Sequence, residues 1–157
     1  MAVKHTKASF RALRDLCGIT QGELAQVLGC DLKTVQRLEN PRREDMQPRE
    51  EDWQKLISLR RTQVAQLDYS MQIAGRALDS GARPHVEIPY FRTQAAYDTE
   101  GRDEGSFRLA NRVAGEVAEA LDEMGVEVTL FYAGEEPSKT WETVKAVTRR
   151  GDCEAGA

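Results

Sequence analysis

The sequence predicts an α+β protein, with an all-helical N-terminal part and a mixed part behind it running helix, strand, helix, strand. Three observations predict it. Apolar residues recur at helical spacing through the first forty positions. Two short stretches, near residues 85–91 and 126–132, alternate apolar and polar residues as half-buried strands do. Glycines and prolines fall between these segments, where chain breaks belong. A length of 157 residues suits two small domains.

In chain order, Phe10, Leu13, Leu16 and Cys17 mark the first helix, which Gly18 stops. Thr20 begins a second, with Glu23 three residues on completing a capping box, and Gly29 ends it. Asp31 caps a third helix from Leu32 to Glu39, which Pro41 cannot extend. Residues 41–48 form a charged, proline-bounded loop. A long helix follows, with Glu50, Glu51 and Asp52 in the first turn, where the helix dipole favours negative charge. Its apolar positions from Val64 through Leu67, Met71, Ala74 and Leu78 step by 3, 4, 3 and 4. That spacing fits a face packed on its own domain or a seam between subunits.

The second part continues with a turn at residues 80–84 and a strand at residues 85–91, placing Val86, Ile88 and Tyr90 on one face. Pro89 marks that strand as an edge. Residues 93–105 read as polar and irregular. Ser106 caps an amphipathic helix carrying Phe107, Ala110, Val113, Ala114, Val117, Leu121 and Met124, and Gly125 ends it. A second strand, with Val128 and Leu130, completes the unit. Domain limits are expected at residues 1–61 and 62–133. A polar tail follows over residues 134–157, where Trp141, Val144 and Val147 could line one short helix.

Charge and composition narrow the function. The net charge is -4, unevenly divided. Residues 1–61 hold 12 Lys and Arg against 9 Asp and Glu, or +3, and residues 62–157 hold 10 against 17, or -7. The basic part suits phosphate and the acidic part would be repelled by it. No apolar run is long enough to span a bilayer and the start does not read as a signal peptide, so a cytoplasmic protein with no membrane partner is expected. Cys17, Cys30 and Cys153 show no CxxC spacing and the histidines are only His5 and His85, so neither zinc nor a disulfide is expected. Cys17 and Cys30 read as small buried apolar residues. The chain has no Gly-rich phosphate loop, nucleophile elbow or HExxH, so no catalytic residue and no cofactor is expected. The acidic run Asp98, Glu100, Asp103 and Glu104 lacks EF-hand spacing and reads as a solvated loop.

The informative stretch is ITQGELAQVLGCDLKTVQRLENP, Ile19 to Pro41. Two short helices must cross closely, with small Ala25 at the crossing and Gly29 in the turn. Leu24, Leu28, Cys30, Val35 and Leu38 can share a core, leaving Lys33, Gln36 and Arg37 outside. This is a helix-turn-helix pattern. With its ITQ opening, ELA core, Leu-Gly turn and RLEN ending, the segment resembles the Cro and lambda-repressor (XRE) family over residues 10–58. It departs at Pro41 and Gly22. The resemblance implies DNA base contacts at Leu32, Lys33, Gln36 and Arg37, by major-groove chemistry. It implies backbone contacts at Gln21, Thr34, Asn40, Arg42 and Arg43, and a structural ion pair between Arg14 and Glu39.

The second part resembles, more loosely, anti-CRISPR-associated autoregulators with a C-terminal dimerisation domain, mainly over Ile88 to Tyr132. The expectation is a homodimer repressing its own operon through an inverted-repeat operator in double-stranded DNA. Ile88, Tyr90, Phe107, Val113, Val117, Val128 and Leu130 are expected at the dimer interface, as apolar surface a two-strand unit leaves uncovered. An antitoxin autorepressor and a ligand-sensing regulator share the first domain and stay open as alternatives, as does binding to RNA.

Overall fold

The computed structural model describes residues 4–100 and 105–134. They form a helix-rich α+β chain of six helices and one two-stranded sheet. The elements are α1 (Lys7–Cys17), α2 (Gln21–Leu28), α3 (Leu32–Glu39), α4 (Glu50–Asp79), β1 (His85–Tyr90), α5 (Gln94–Glu100), α6 (Phe107–Glu123) and β2 (Glu127–Tyr132). Contacts divide the chain into two compact units, Met1–Gln66 and Leu67–Ala157. The division falls inside α4, five residues beyond the expected limit at residue 61. Trp141, Val144, Val147, Cys153, Asp103 and Glu104 lie outside the described residues.

Each short helix of the first unit starts on a side chain that satisfies free backbone N–H groups. The Thr6 hydroxyl accepts from the Ser9 amide, and Ser9 returns the bond to the Thr6 backbone. Thr20 and Glu23 form the same reciprocal box on α2, and Asp31 accepts from the Thr34 amide on α3. Gly18 and Gly29 end α1 and α2 with φ of 77° and 74°, a left-handed turn that a side chain would strain. With the ends fixed, Phe10, Cys17, Leu24, Val35 and Leu56 bury completely, joined by Ile19, Ala25, Leu38 and Trp53. The Trp53 and Phe10 rings meet in a T shape with centroids 5.1 Å apart, and Trp53 stacks on His5 at 4.2 Å. Deep in this unit the Gln63 amide donates to the Cys17 carbonyl at 3.0 Å. Cys17 is buried as expected, whereas Cys30 is only half-buried, because it sits in the turn after Gly29.

In the second unit β1 and β2 run parallel, Val86 beside Val128, Ile88 beside Leu130 and Tyr90 beside Tyr132. A parallel pair requires a crossover, and α6 supplies it. The expected order of helix, strand, helix, strand needs one correction: residues 94–100, read as irregular, form the helix α5. Ala74, Val117, Leu121 and Val126 form one buried cluster, against which Leu67, Met71, Leu78, Val86, Ile88, Val113 and Val128 pack. The 3-4 spacing of α4 from Leu67 onward is therefore a face on its own unit. A second cluster joins Phe91, Tyr97, Phe131 and Ala133, with Phe107 and Ala110 against it.

The outer edge of β1 is modified at two successive outward positions. Tyr90 faces β2, since its carbonyl accepts from the Ala133 amide at 3.0 Å. By strand alternation Pro89 and Phe91 turn their backbone groups outward. Pro89 has no N–H. At Phe91, the buried Asn111 amide takes both groups, donating to the carbonyl at 2.7 Å and accepting from the N–H at 2.9 Å.

Gly115 lies mid-helix in α6, and a Cβ there would meet nothing within 4 Å. Gly115→Ala is expected to stabilise the chain by about 0.5–1 kcal/mol by reducing unfolded-state entropy. A rise in the urea midpoint at constant slope checks this, and a fall would mean that another chain packs closely on that face.

Candidate nucleic-acid interface

The sequence of α3 divides it into two faces. Val35, Leu38 and Glu39 are buried. Lys33, Gln36 and Asn40 are exposed and Arg37 is half-exposed, at steps of 3 and 4 residues that align them along one side. Leu32, 47% exposed, begins the same helix beside them. An apolar side chain so exposed on an otherwise polar face suits contact with an apolar group such as a methyl. The side chains of Lys33, Gln36, Arg37 and Arg42 make no hydrogen bond or ion pair with another described residue. Their donors face solvent and need break no internal bond to meet a ligand. Thr34 is half-buried, with its backbone N–H held by Asp31 at 2.6 Å.

The face is held from behind by a buried ion pair. Arg14 Nε and Nη2 donate to the two carboxylate oxygens of Glu39 at 2.6 and 3.1 Å. Both residues are 7% exposed. The remaining guanidinium nitrogen donates to the Ile19 carbonyl at 2.9 Å and lies 2.8 Å from the Asp15 carboxylate. Hydrogen bonding to Glu39 raises the Arg14 pKa above its ordinary value, despite burial. Gln21, assigned a phosphate contact by resemblance, has its side-chain amide on Glu39 at 2.7 Å. That bond engages one of the two amide N–H groups of the half-buried Gln21, leaving the second N–H beside the backbone N–H groups at the start of α2.

After α3 the chain turns tightly. The Asn40 side-chain oxygen accepts from the Arg42 amide at 2.9 Å, which occupies its acceptor within the turn. Arg43 is exposed but pairs with Asp45 at 3.0 Å, so of the two arginines Arg42 is the one with no internal competitor. At the N-terminus of α2, a Cβ on Gly22 would meet only Thr20 Oγ1 at 3.8 Å, so packing does not require glycine there.

Two titratable groups flank α3. Hydrogen bonds from the Thr34 side chain and then its backbone N–H hold the Asp31 carboxyl below its ordinary value. Burial, then the charges of Asp31 and Asp52, push the Cys30 thiol up. A thiol so shifted stays protonated at neutral pH and is a poor nucleophile.

In the second unit, the residues expected at a dimer interface separate. Val117 is buried in its own core, and Ile88, Val113 and Val128 pack against it. Phe107 packs on the other cluster. Of the seven, only Val117 is buried, while Ile88, Phe107, Val113 and Val128 are half-buried, each packed against one of the two clusters. Tyr90 and Leu130 are exposed, and Tyr132, which the sequence reading left out, is exposed beside them at 47%. Tyr90 and Tyr132 meet edge to face at 6.3 Å, with the Arg92 guanidinium 5.6 Å from the Tyr132 ring centre. The strand alternation carried the signal for Tyr132, since it lies two residues beyond Leu130.

Among the described residues no group of three or more His, Cys, Asp or Glu could hold a metal ion, and no helix is long and apolar enough to cross a membrane. No protein-family model matches the chain, and no curated protein matches its sequence.

Removing Glu39 alone is expected to destabilise the chain by about 3 kcal/mol, since it strands a buried guanidinium. Replacing Arg14 and Glu39 together by apolar residues is expected to cost less than the sum of the single changes. A double-mutant cycle by chemical denaturation measures the coupling, and additivity would refute it. A second expectation concerns acid. A carboxyl with a lowered folded pKa contributes stability above its unfolded value and loses it as pH falls through the folded one. The Thr34 amide resonance is expected to titrate with Asp31 at a midpoint below that of a free aspartate, and Asp31→Asn to remove that step.

Proposed function

We propose that the chain is a sequence-specific DNA-binding regulator, with α2 and α3 as a helix-turn-helix and α3 as the helix that enters the major groove. One observation carries this reading. The exposed side of α3 aligns Lys33, Gln36 and Arg37, whose side chains make no hydrogen bond or ion pair with another described residue, on a helix whose other side is immobilised by buried Leu38, Val35 and Glu39. Lys33 and Arg37 donate to guanine O6 and N7, Gln36 pairs with adenine, and Leu32 touches a thymine methyl. Arg42, Arg43 and Asn40 lie just beyond, where phosphate contacts fix register. The resemblance of Ile19–Pro41 to the Cro and lambda-repressor family supports the same assignment. The +3 charge of residues 1–61, against -7 behind them, favours the first unit as the side that faces phosphate.

By the looser resemblance of its second part, the protein acts in the cytoplasm as a homodimer, repressing its own operon from an inverted repeat. In that arrangement the exposed Tyr90, Leu130 and Tyr132 belong to the subunit contact. Two recognition helices then read half-sites about 34–36 Å apart.

Selection of duplexes from a random pool by the full chain tests the DNA reading. An enriched inverted repeat is the expected result, and no enrichment would refute it. On the selected site, Arg37→Ala should lose about 1–3 kcal/mol and relax the preference at one base position. Equal weakening on every sequence would reduce Arg37 to a phosphate contact. Sedimentation checks the dimer: a 17.6 kDa monomer at micromolar concentration that still binds the full site tightly would rule it out.

A further inference from the structure

Lys7 is a charged residue that nothing above employs. It lies on the buried side of α1, in line with Phe10, Arg14 and Cys17, and is 9% exposed. Among the described residues it has no carboxylate partner. Its ammonium instead donates to two backbone carbonyls far along the chain. One is that of Arg37, at 2.9 Å, in the last turn of α3, and the other is that of Met46.

These two carbonyls bracket one segment. Between them run Asn40, Arg42 and Arg43. The segment has its own short bonds: Arg42 N–H to the Asn40 side chain, Arg43 N–H to the Asn40 carbonyl at 3.1 Å, and Met46 N–H to the Arg43 carbonyl at 3.4 Å. The last is long and all three are local, and the Asn40 N–H bond to the Arg37 carbonyl at 3.3 Å fixes only the near end, so none of them ties the far end of the loop to the body of the unit. Lys7 does. A buried ammonium that lost one of its two acceptors would be left poorly solvated, so the pair of carbonyls is held together by the cost of separating them. A cation at the C-terminal end of α3 is also favoured by the helix dipole.

We infer that Lys7 is a positioning residue for phosphate contact: it clasps the two ends of residues 37–46 and so holds Arg42 and Arg43 where they meet the DNA backbone, without touching DNA itself. The inference rests on the DNA reading above for its second half only. The clasp is a property of the free protein.

The test uses the full chain with Lys7→Met, which keeps the aliphatic stem, and Lys7→Gln in case the first fails to fold. Leu56→Val, a core truncation with no hydrogen bond to the loop, controls for general loss of stability. In the free protein, hydrogen exchange at the Arg43 and Met46 amides is expected to speed up by at least about tenfold in the Lys7 variants and not in the control, at a temperature where all are folded. Unchanged exchange would overturn the clasp. With duplex selected by the wild-type chain, Arg42→Ala is expected to reduce the salt dependence of binding by about one unit in the wild-type background. In the Lys7→Met or Lys7→Gln background it should change binding little, because that contact is already lost. Additive effects in the two backgrounds would overturn positioning even if the exchange result held. A wild-type chain that binds no duplex would defeat the DNA reading and, with it, the phosphate role of Lys7. The clasp would still be judged by exchange alone.

Discussion

The first unit is organised around the buried contact between Arg14 and Glu39. Two formal charges removed from water are costly, and only good geometry with every remaining donor satisfied makes the arrangement tolerable. Here two parallel N–H bonds to the carboxylate, the Ile19 carbonyl and the Gln21 amide provide that geometry. The contact also decides where chain segments can be. Arg14 belongs to α1, Ile19 to the link after it, Gln21 to the first turn of α2 and Glu39 to the last of α3. Apolar packing among Phe10, Leu24, Val35 and Leu56 supplies most of the stabilisation, but such contacts tolerate sliding. The ion pair does not, because a displaced charge is an unpaired one. The rotation of α3, and with it the direction in which Lys33 and Arg37 point, is therefore set by a carboxylate on the opposite side of the same helix.

The helical boundaries were legible because they rest on local chemistry. Thr20 with Glu23, Asp31 with Thr34, and the left-handed glycines at 18 and 29 act within four residues of themselves, so their meaning is contained in the string. The exposed side of α3 was legible for the same reason. The helix α5 was not. Its segment QAAYDTE presents one buried large side chain, Tyr97, and no apolar stripe. It is held instead by nonlocal bonds, with the Gln94 side chain donating to the Gly105 carbonyl and accepting from the Phe107 amide. Lys7 was illegible in a different way. A lysine in the first turn of a helix reads as a solvated charge, and its acceptors are backbone carbonyls 30 and 39 residues away that leave no mark on residue type. Gln21 adds a nonlocal role of the same kind, since one N–H of its amide donates to the buried Glu39 carboxylate 18 residues away.

The second unit shows how apolar patterning overstates free surface. Strand alternation placed Ile88 and Val128 on a face and helical spacing placed Val113 and Val117 on another, but a pattern cannot say that the two faces meet. Once α6 crosses between parallel strands they must, and on the sheet itself the exposed large apolar side chains are Tyr90, Leu130 and Tyr132. That smaller set is more informative about a partner than the larger one. It comes from the far end of one sheet face, two of its three side chains are aromatic, and Arg92 lies over the Tyr132 ring.

The treatment of the β1 edge bears on whether such sheets can polymerise. An edge-to-edge fibre grows only if every unit added presents a fresh edge to the next, so it needs two usable edges per molecule. In this chain the β1 edge lacks a donor at Pro89 and has both backbone groups of Phe91 taken by Asn111. Among the described residues the β2 edge has neither device, and Val128, Leu130 and Tyr132 turn their backbone groups toward it. A sheet open on one side only is spent after a single encounter. Two copies meeting through β2 would join into four strands with a protected edge at each end, an association that closes on itself by symmetry and leaves no template for a third.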